Sequence, residues 1–238
     1  MKIRVVTYNI HKGFTWTNTK LILSEIKHIV KDSNADIVLL QEVMGKSKMD
    51  TAQFEFLADQ VWTHYAYGKN AAYESGDHGN AILSHFPIQE WKNTNISTNR
   101  FEQRGFLYAK VEVPDCAGKV IHLISLHLDL LESGRRKQIQ NLCVFLKHSI
   151  PKDEPLIVAG DFNDWSGKIS DEFQEATQMS EVFKTTSGRY QPSFPALFPL
   201  LSLDRIFVRN FKIFNCKSLH EGHGLSDHVP LFAELELY

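Results

Sequence analysis

Residues 156–163 are Leu156-Ile157-Val158-Ala159-Gly160-Asp161-Phe162-Asn163, an apolar run that leads directly into polar side chains. A short run of aliphatic residues is typical of a buried strand. The same order recurs along the chain, because polar residues also follow strand-like runs at 3–7, 37–40 and 120–126, namely Asn9, Gln41-Glu42 and His127. Since a rigid scaffold presents functional groups at strand ends, we expect these side chains to meet at one edge.

Two further polar positions lie before strand-like runs. Asp204 opens the run at 204–208, and Asp227-His228 precedes the run at 231–237. Antiparallel pairing brings the start of one strand beside the end of its neighbour, so these residues can join the same edge. Taken singly, each polar residue is better explained as a turn former or a solvated strand end, with Asp204 as a surface partner of Arg205. The joint pattern is what predicts a cleft.

Further runs and two helical patterns indicate the fold class. Strand-like segments also occur at 81–83, 106–113 and 211–216, which is enough for two sheets. Apolar residues spaced by three and four predict helices around 22–30 and 139–150, the first capped by Asn18 or Thr19 and the second by Ser133. Short loops such as 114–118 indicate antiparallel pairing. The sequence therefore predicts a mixed α/β or α+β sandwich rather than a parallel doubly wound sheet.

The charge balance limits the classes of partner. The 238 residues contain 26 basic and 28 acidic side chains, for a net charge of −2. This balance argues against a strong nonspecific grip on nucleic acid, although it permits a locally basic cleft. The basic clusters Arg135-Arg136-Lys137 and Lys46/Lys48 are candidates for tracking a phosphate backbone, or are solvated faces.

Cysteine usage and hydropathy bear on metal sites and location. Cys116, Cys143 and Cys216 are widely spaced without a CxxC pair, which favours buried structural thiols over zinc or redox chemistry. No export signal and no stretch of membrane-spanning length is evident, so we expect a cytoplasmic protein without stable membrane insertion. In the absence of repeats or linkers, we also expect one domain over residues 1–238 and a monomer.

Ordered motifs along nearly the whole chain resemble those of the endonuclease/exonuclease/phosphatase superfamily, which includes DNase I-like nucleases, sphingomyelinases and inositol-polyphosphate phosphatases. The motifs are Thr7-Tyr8-Asn9-Ile10, Gln41-Glu42, His78-Gly79-Asn80-Ala81-Ile82-Leu83-Ser84, Ser125-Leu126-His127-Leu128, Gly160-Asp161-Phe162-Asn163, Leu203-Asp204-Arg205-Ile206-Phe207-Val208 and Ser226-Asp227-His228-Val229-Pro230-Leu231. The resemblance implies a DNase I-like, four-layer αββα sandwich of two mixed sheets flanked by helices, with a phosphoester-hydrolysing site at one rim.

The resemblance also implies roles for individual residues. His228 looks like the catalytic histidine, oriented by Asp204, and Asp161 would orient or deprotonate water, leaving open which of Asp161 and His228 is the base. Asn163 would donate its side-chain amide to a phosphate oxygen, and His127 would contact the phosphate or protonate the leaving oxygen. Glu42 would bind Mg²⁺ or Mn²⁺, because these ions favour carboxylates. Supporting metal ligands would be Asn9 and Asp227.

Four residues are candidate substrate contacts. Arg104 is a phosphate clamp or a solvated arginine at a strand start, and His78 and Asn80 line the cleft or build a turn on Gly79. Trp165 would flank the cleft and stack on a ring, as would Phe14 and Trp16 unless they pack in the core.

The expected activity is that of a metal-dependent phosphodiesterase or endonuclease acting on nucleic acid. The alternative is hydrolysis of a small or lipid phosphoester, and the third possibility is an inactive binding module on the same fold. The apolar segment 194–201, directly before Asp204, would suit a lipid-like substrate if exposed, but we expect it to be buried because apolar side chains usually find cover.

Overall fold

The computed structural model describes residues 1–45, 51–73, 76–100, 102–114, 118–220 and 224–238. Lys46, Lys48, Cys116 and the middle of the 114–118 loop lie outside the described residues. The strands are β1 (Lys2–Asn9), β2 (Ile37–Met44), β3 (His64–Tyr73), β4 (Gly76–Ser84), β5 (Ile88–Asn95), β6 (Gly105–Val113), β7 (Lys119–His127), β8 (Leu156–Asp161), β9 (Ser180–Glu181), β10 (Asp204–Arg209), β11 (Phe211–Ser218) and β12 (Leu231–Leu237). The α-helices are α1 (Leu23–Asp32), α2 (Gln53–Ala58), α3 (Glu132–Ser149), α4 (Lys168–Thr177) and α5 (Val182–Ser187).

The strands form two six-stranded sheets. The first has the order β11-β12-β1-β2-β4-β3, and the second β5-β6-β7-β8-β10-β9. The pairs β1–β2 and β7–β8 are parallel, while β1–β12, β2–β4, β6–β7 and β8–β10 are antiparallel. Both sheets are therefore mixed, as predicted.

Apolar residues on both faces of the central strands create the layers. Alternate residues of a strand point to opposite faces. In β1, Ile3 and Val5 belong to the core between the two sheets, whereas Val6 and Tyr8 pack with Ile26 of α1. The second sheet is covered in the same way, because its outer face packs against α3 and α4. The predicted four-layer αββα sandwich is confirmed.

The predicted helix caps are wrong. The first helix begins at Leu23 without a side-chain cap, while Asn18 has a left-handed φ of 57° in the loop before it, and Thr19 hydrogen-bonds to Thr17 at 2.6 Å. Helix α3 begins at Glu132, so Ser133 lies inside its first turn. Tertiary packing of the apolar face stabilises these helices without the capping residue that local propensity favours.

Strand register brings the polar strand ends together. In the second sheet His127 is the register partner of Asp161, and Asp161 is the partner of Asp204. In the first sheet Asn9 is paired with Gln41. The two sheets are joined at this edge by Ser125, whose hydroxyl donates to Leu40 O and accepts from Gln41 Nε2 at 3.2 Å each. We call this side of the sandwich the polar edge.

Cys143 and Cys216 are free thiols that are half-buried rather than buried. Burial raises the pKa of both thiols. Among the described residues, no helix combines the length and the apolar character needed to cross a membrane.

Candidate active site

A buried histidine–aspartate pair lies at the centre of the polar edge. His228 Nδ1 donates to Asp204 Oδ2 at 2.7 Å, and His228 Nε2 lies 3.7 Å from Asp161 Oδ2. Burial by itself lowers the pKa of His228, but the charges of Asp204 and Asp161 outweigh burial and raise this pKa above its ordinary value. The neighbouring carboxylates therefore favour an imidazolium.

Asp161 is held by donors on both carboxylate oxygens. Asn9 Nδ2 donates to Oδ2 at 3.1 Å from the other sheet, and the backbone N–H of Asn163 donates to Oδ1 at 2.9 Å. Burial raises the pKa of Asp161, opposed by the charge of His228. The preceding residue, Gly160, has a φ of 147°, and a Cβ there would lie 2.0 Å from Leu126 O. The approach of β8 to β7 at this point therefore requires glycine.

His127 lies on the other side of Asp161, with Nε2 at 3.3 Å from Asp161 Oδ2. Its Nδ1 faces Arg104 Nη1 at 3.4 Å. Because a guanidinium only donates, this contact makes Nδ1 the acceptor and leaves the ring proton on Nε2. Burial, reinforced by the charge of Arg104, holds the pKa of His127 well below its ordinary value. The ring is thus a neutral hydrogen-bond donor beside Asp161.

The three residues predicted as metal ligands lie on separate segments of the same edge. Glu42 sits at the bulge of β2 with a φ of 54°, and its Oε1 lies 4.0 Å from His127 Nδ1. Bulges commonly re-aim a side chain at an edge or a site. Asp227 Oδ2 lies 3.3 Å from His11 Nδ1, and Asn9 Oδ1 accepts from the backbone N–H of His11 at 3.1 Å.

The donor chemistry at these positions fits a hard divalent cation. Carboxylate and amide oxygens are the ligands that Mg²⁺ and Mn²⁺ prefer, often with water and substrate oxygens completing the coordination. Within the described ranges, no three His, Cys, Asp or Glu side chains are already gathered as a cation cage. Glu42, with Asn9 and Asp227, would supply the protein's share of such a coordination shell.

Two of the predicted substrate contacts, Arg104 and Asn80, differ in where they lie. Arg104 lies at the polar edge, where its guanidinium contacts His127 and its Nη2 lies 3.7 Å from Glu102 Oε2. Asn80 is buried between the sheets, where its amide donates to Gly105 O at 2.8 Å and Ser125 O at 3.2 Å. The amide of Asn80 therefore helps to hold the sheets together.

The remaining predicted site residues are His78, Trp165 and Asn163. Burial lowers the pKa of His78, with a further lowering from the charge of Lys12. Trp165 is exposed and lies over the guanidinium of Arg135, 4.8 Å from ring centroid to Cζ. The side-chain amide of Asn163 donates to Leu128 O at 2.9 Å, which connects the turn after β8 to the segment after β7.

Residue-by-residue interpretation of the sequence missed several supporting groups. Ser226 Oγ donates to Asn9 O at 2.7 Å and lies 3.3 Å from the backbone N of His228, so it couples two strand ends. Its position immediately before Asp227-His228 was the one signal for this role. His11 was likewise missed as the partner of Asp227, and nothing local in the sequence indicates that contact.

The expectation that segment 194–201 is buried is wrong. Ala196 is buried, but Leu197, Phe198, Leu200 and Leu201 are all exposed, with 78% of Phe198 accessible to solvent. The backbone of this segment is secured by its neighbours, since Ala196 N donates to Asp227 O at 2.7 Å. The anchored backbone leaves these apolar side chains exposed on a segment that also contacts His228, because the ring centroid of Phe194 lies 5.1 Å from that of His228.

The chain is similar in sequence and in fold to several known proteins. Over 245 aligned residues the chain is 43% identical to the uncharacterized protein YbhP of Escherichia coli K12, covering 98% of this chain and 96% of that protein. Over 169 residues it is 30% identical to sphingomyelinase C of Listeria ivanovii, covering 59% of this chain and 48% of that protein. An endonuclease/exonuclease/phosphatase structure from Bacteroides vulgatus has a TM-score of 0.80 at 21% identity, with full coverage of both chains at 100%.

The sequence model of the Endonuclease/Exonuclease/phosphatase family matches residues 6–228, which includes every strand end at the polar edge. This match spans far more than half of the chain, and the two six-stranded mixed sheets are those of the DNase I-like fold. The chain therefore belongs to the endonuclease/exonuclease/phosphatase family, whose members are hydrolases acting on phosphoester bonds.

Proposed function

We propose that this protein hydrolyses phosphodiesters by attack of water on phosphorus, assisted by Mg²⁺ or Mn²⁺. One observation carries the proposal: Asp161, flanked by His127 at 3.3 Å and by the Asp204-bound His228 at 3.7 Å, is buried at one edge. A carboxylate between two imidazoles provides both a proton acceptor and donors to the oxygens of a phosphate.

Asp161 is the general base in this proposal. Its carboxylate is oriented by Asn9 and Asn163, so an oxygen can accept the proton of an attacking water. His228 is less suited to this role, because the flanking carboxylates favour its protonated form. The imidazolium of His228 would instead stabilise negative charge that develops on the phosphoryl oxygens.

His127 would donate a hydrogen bond from Nε2 to a nonbridging phosphate oxygen. Arg104 positions it by donating to Nδ1, which fixes the tautomer. Because the pKa of His127 is depressed, the neutral ring would act as a hydrogen-bond donor rather than as the acid that protonates the leaving group.

Glu42 would hold the divalent ion, with Asn9 and Asp227 as supporting ligands. A bound ion would neutralise charge on the phosphate and increase the electrophilicity of phosphorus. Asp227 and Asn9 are already oriented by His11, and Ser226 fixes the backbone of Asn9. The protein therefore supplies oxygen ligands whose positions are set before the ion binds.

Two substrate classes are consistent with the site. Nucleic acid is supported by the nucleases in the family, and a lipid phosphodiester is supported by the sphingomyelinase relative and by the exposed segment 194–201. An inactive binding module is disfavoured, because binding alone does not require the buried arrangement of His127, Asp161 and His228.

The test uses a soluble phosphodiester that either substrate class resembles, bis(p-nitrophenyl) phosphate. Chelated protein should regain turnover with Mg²⁺ or Mn²⁺, and Asp161→Asn and His228→Ala should lower kcat by about 10²-fold or more. The controls Asp32→Asn and His28→Ala make the same chemical changes at exposed sites on α1. Turnover that persists in both active-site variants would overturn the proposal.

A further inference from the structure

Exposed apolar side chains are concentrated around the polar edge. Of sixteen large exposed apolar residues in the described ranges, ten lie on four segments that extend from this edge. We call these the rim segments: 10–22 after β1, 128–131 after β7, 162–167 after β8 and 188–203 before β10. The most accessible are Leu131 at 65%, Phe198 at 78% and Leu200 at 75%. A concentration of exposed apolar side chains around one edge is typical of an interaction site.

Buried arginines hold three of the rim segments in place. Arg205 donates to Ser202 O at 2.7 Å and to Asp164 O at 3.0 Å, which connects segments 188–203 and 162–167. Arg135 donates to Leu130 O at 2.6 Å, and Trp165 lies over its guanidinium. Both arginines are essentially inaccessible to solvent. The fixed backbone keeps the apolar side chains outside, because folding them inward would break these contacts of a buried charge.

Charge complementarity indicates what the surface contacts. Segments 10–22 and 188–203 contain no Asp or Glu, although acidic residues outnumber basic ones in the whole chain. They do contain Lys12, Lys20 and the exposed Arg189. The acidic residues of the other two rim segments, Asp129 and Asp164, are buried, and Lys20 Nζ lies 3.2 Å from Glu25 Oε1 on α1. Aromatic and aliphatic side chains beside cations, with no exposed carboxylate in the rim segments themselves, suit the headgroup region of a phospholipid layer.

The exposed leucines of the rim segments favour a lipid surface over nucleic acid as the binding partner. Single-stranded nucleic acid is held by stacking of bases on aromatic rings. Trp16, Trp165 and Phe198 offer such rings, but Leu131 and Leu200 are among the most exposed residues and have no face for stacking. Their exposure favours insertion among lipid headgroups and acyl chains.

We propose that the rim segments dock the polar edge on the surface of a phospholipid bilayer, so that the substrate is the phosphodiester of a lipid headgroup. This inference rests on the proposed hydrolase activity, and it identifies the substrate class of the same site. Docking delivers the headgroup beside His228, because segment 188–203 is bonded to both neighbours of that histidine, through Ala196 N–Asp227 O at 2.7 Å and Val229 N–Ser193 O at 2.8 Å.

The experiment measures co-sedimentation with vesicles of phosphatidylcholine containing a minor fraction of phosphatidylglycerol. Asp161→Asn serves as the background, so that lipid is not consumed. We expect this protein to bind, and we expect Phe198→Ser/Leu200→Ser to weaken partitioning by about tenfold or more. Leu131→Ser, on a different rim segment, should weaken it as well, which covers the case in which the double variant folds poorly. Trp91→Ser is the matched control, because Trp91 is also exposed but lies on β5, away from the rim segments.

A parallel assay separates this inference from the proposed function. In the otherwise wild-type chain, Phe198→Ser/Leu200→Ser should still hydrolyse bis(p-nitrophenyl) phosphate while losing hydrolysis of the vesicle phospholipid. Absence of vesicle binding, or vesicle binding unaffected by the rim variants, would overturn the docking. Weakened binding of single-stranded DNA with unchanged vesicle binding would also overturn it and assign the surface to nucleic acid. Vesicle binding without turnover of any phosphodiester would contradict the hydrolase proposal and leave docking intact.

Discussion

His127 and Asp161 are register partners at the ends of the parallel strands β7 and β8, and their side chains meet at 3.3 Å between Nε2 and Oδ2. The contact is a direct consequence of parallel pairing, which brings two carboxyl ends to one edge. Antiparallel β10 then adds Asp204 beside Asp161 from its first residue. The ionisable side chains of His127, Asp161 and Asp204 therefore lie in adjacent register positions of one sheet.

The Asp204–His228 pair yields the first prediction. Asp204→Asn retains a polar side chain of the same size but removes the charge that favours the imidazolium. We expect kcat for bis(p-nitrophenyl) phosphate to fall by about 10²-fold or more with little change in KM. Steady-state kinetics checks this, with Asp32→Asn as control. An unchanged kcat would mean that His228 does not act through its charge.

Glu42 yields the second prediction. Glu42→Gln keeps the size of the side chain and removes its charge, so we expect the concentration of Mg²⁺ or Mn²⁺ needed for half-maximal activity to rise by about tenfold or more. Titration calorimetry of the chelated protein should show the same loss of affinity independently of turnover. Glu175→Gln, on the exposed face of α4, provides the matched control. Equal metal affinities of the two variants would remove Glu42 from the proposed metal site.

Gly160 yields the third prediction. Gly160→Ala should lower the free energy of unfolding by about 2–4 kcal/mol, because the new Cβ would collide with Leu126 O in addition to the strained φ. Gly188→Ala is the control, since Gly188 has a φ of 78° but no atom within 4 Å of the position that a Cβ would take. That variant should lose only about 1 kcal/mol. Urea unfolding of both variants distinguishes collision from backbone strain, and equal losses would contradict the collision.

Glu181 yields a pH-dependent prediction away from the polar edge. Its buried carboxylate accepts from the backbone N–H of Lys184 at 2.7 Å, yet burial raises its pKa from 4.5 to about 7. The folded chain therefore binds this proton more tightly than the unfolded chain, so the contribution to stability is present below pH 4.5 and is lost as the pH rises toward 7.

Glu181→Gln removes this titration. Relative to the wild type, its free energy of unfolding should increase between pH 4.5 and pH 8 by on the order of 1–3 kcal/mol. Denaturant unfolding at the two pH values measures the difference, and Glu175→Gln should show no such trend. A constant offset between Glu181→Gln and wild type at both pH values would contradict the prediction.

Local patterns predict nine of the twelve strands in the described residues, and they miss β3, β5 and β9 together with the helices α2, α4 and α5. The apolar runs Leu156–Ala159 and Ile37–Leu40 predict strands, and the structure places them in the buried strands β8 and β2. Polar residues at the ends of these runs predicted an edge, and the structure brings Asn9, Asp161 and His228 together there. The α+β sandwich followed from short connections between strands.

Local patterns failed where tertiary contacts override them. The caps expected at Asn18 and Ser133 are not used, because Ile22 and Leu131 occupy the cap positions of α1 and α3, and neither helix has a side-chain cap. Burial is expected for segment 194–201, but the hydrogen bond from Ala196 N to Asp227 O and the pairing of Phe194 with Leu201 fix its backbone with apolar side chains outward. Neither contact has a signal in the segment itself.

The sequence by itself determined most of the strands and the side chains that follow them, because apolar runs are local properties. Only the tertiary structure decided which of those side chains touch. Asn9 and Asp161 are separated by 152 positions and lie on different sheets, yet their side chains are 3.1 Å apart. That distance depends on the packing of one sheet on the other, to which the buried residues of many strands contribute together.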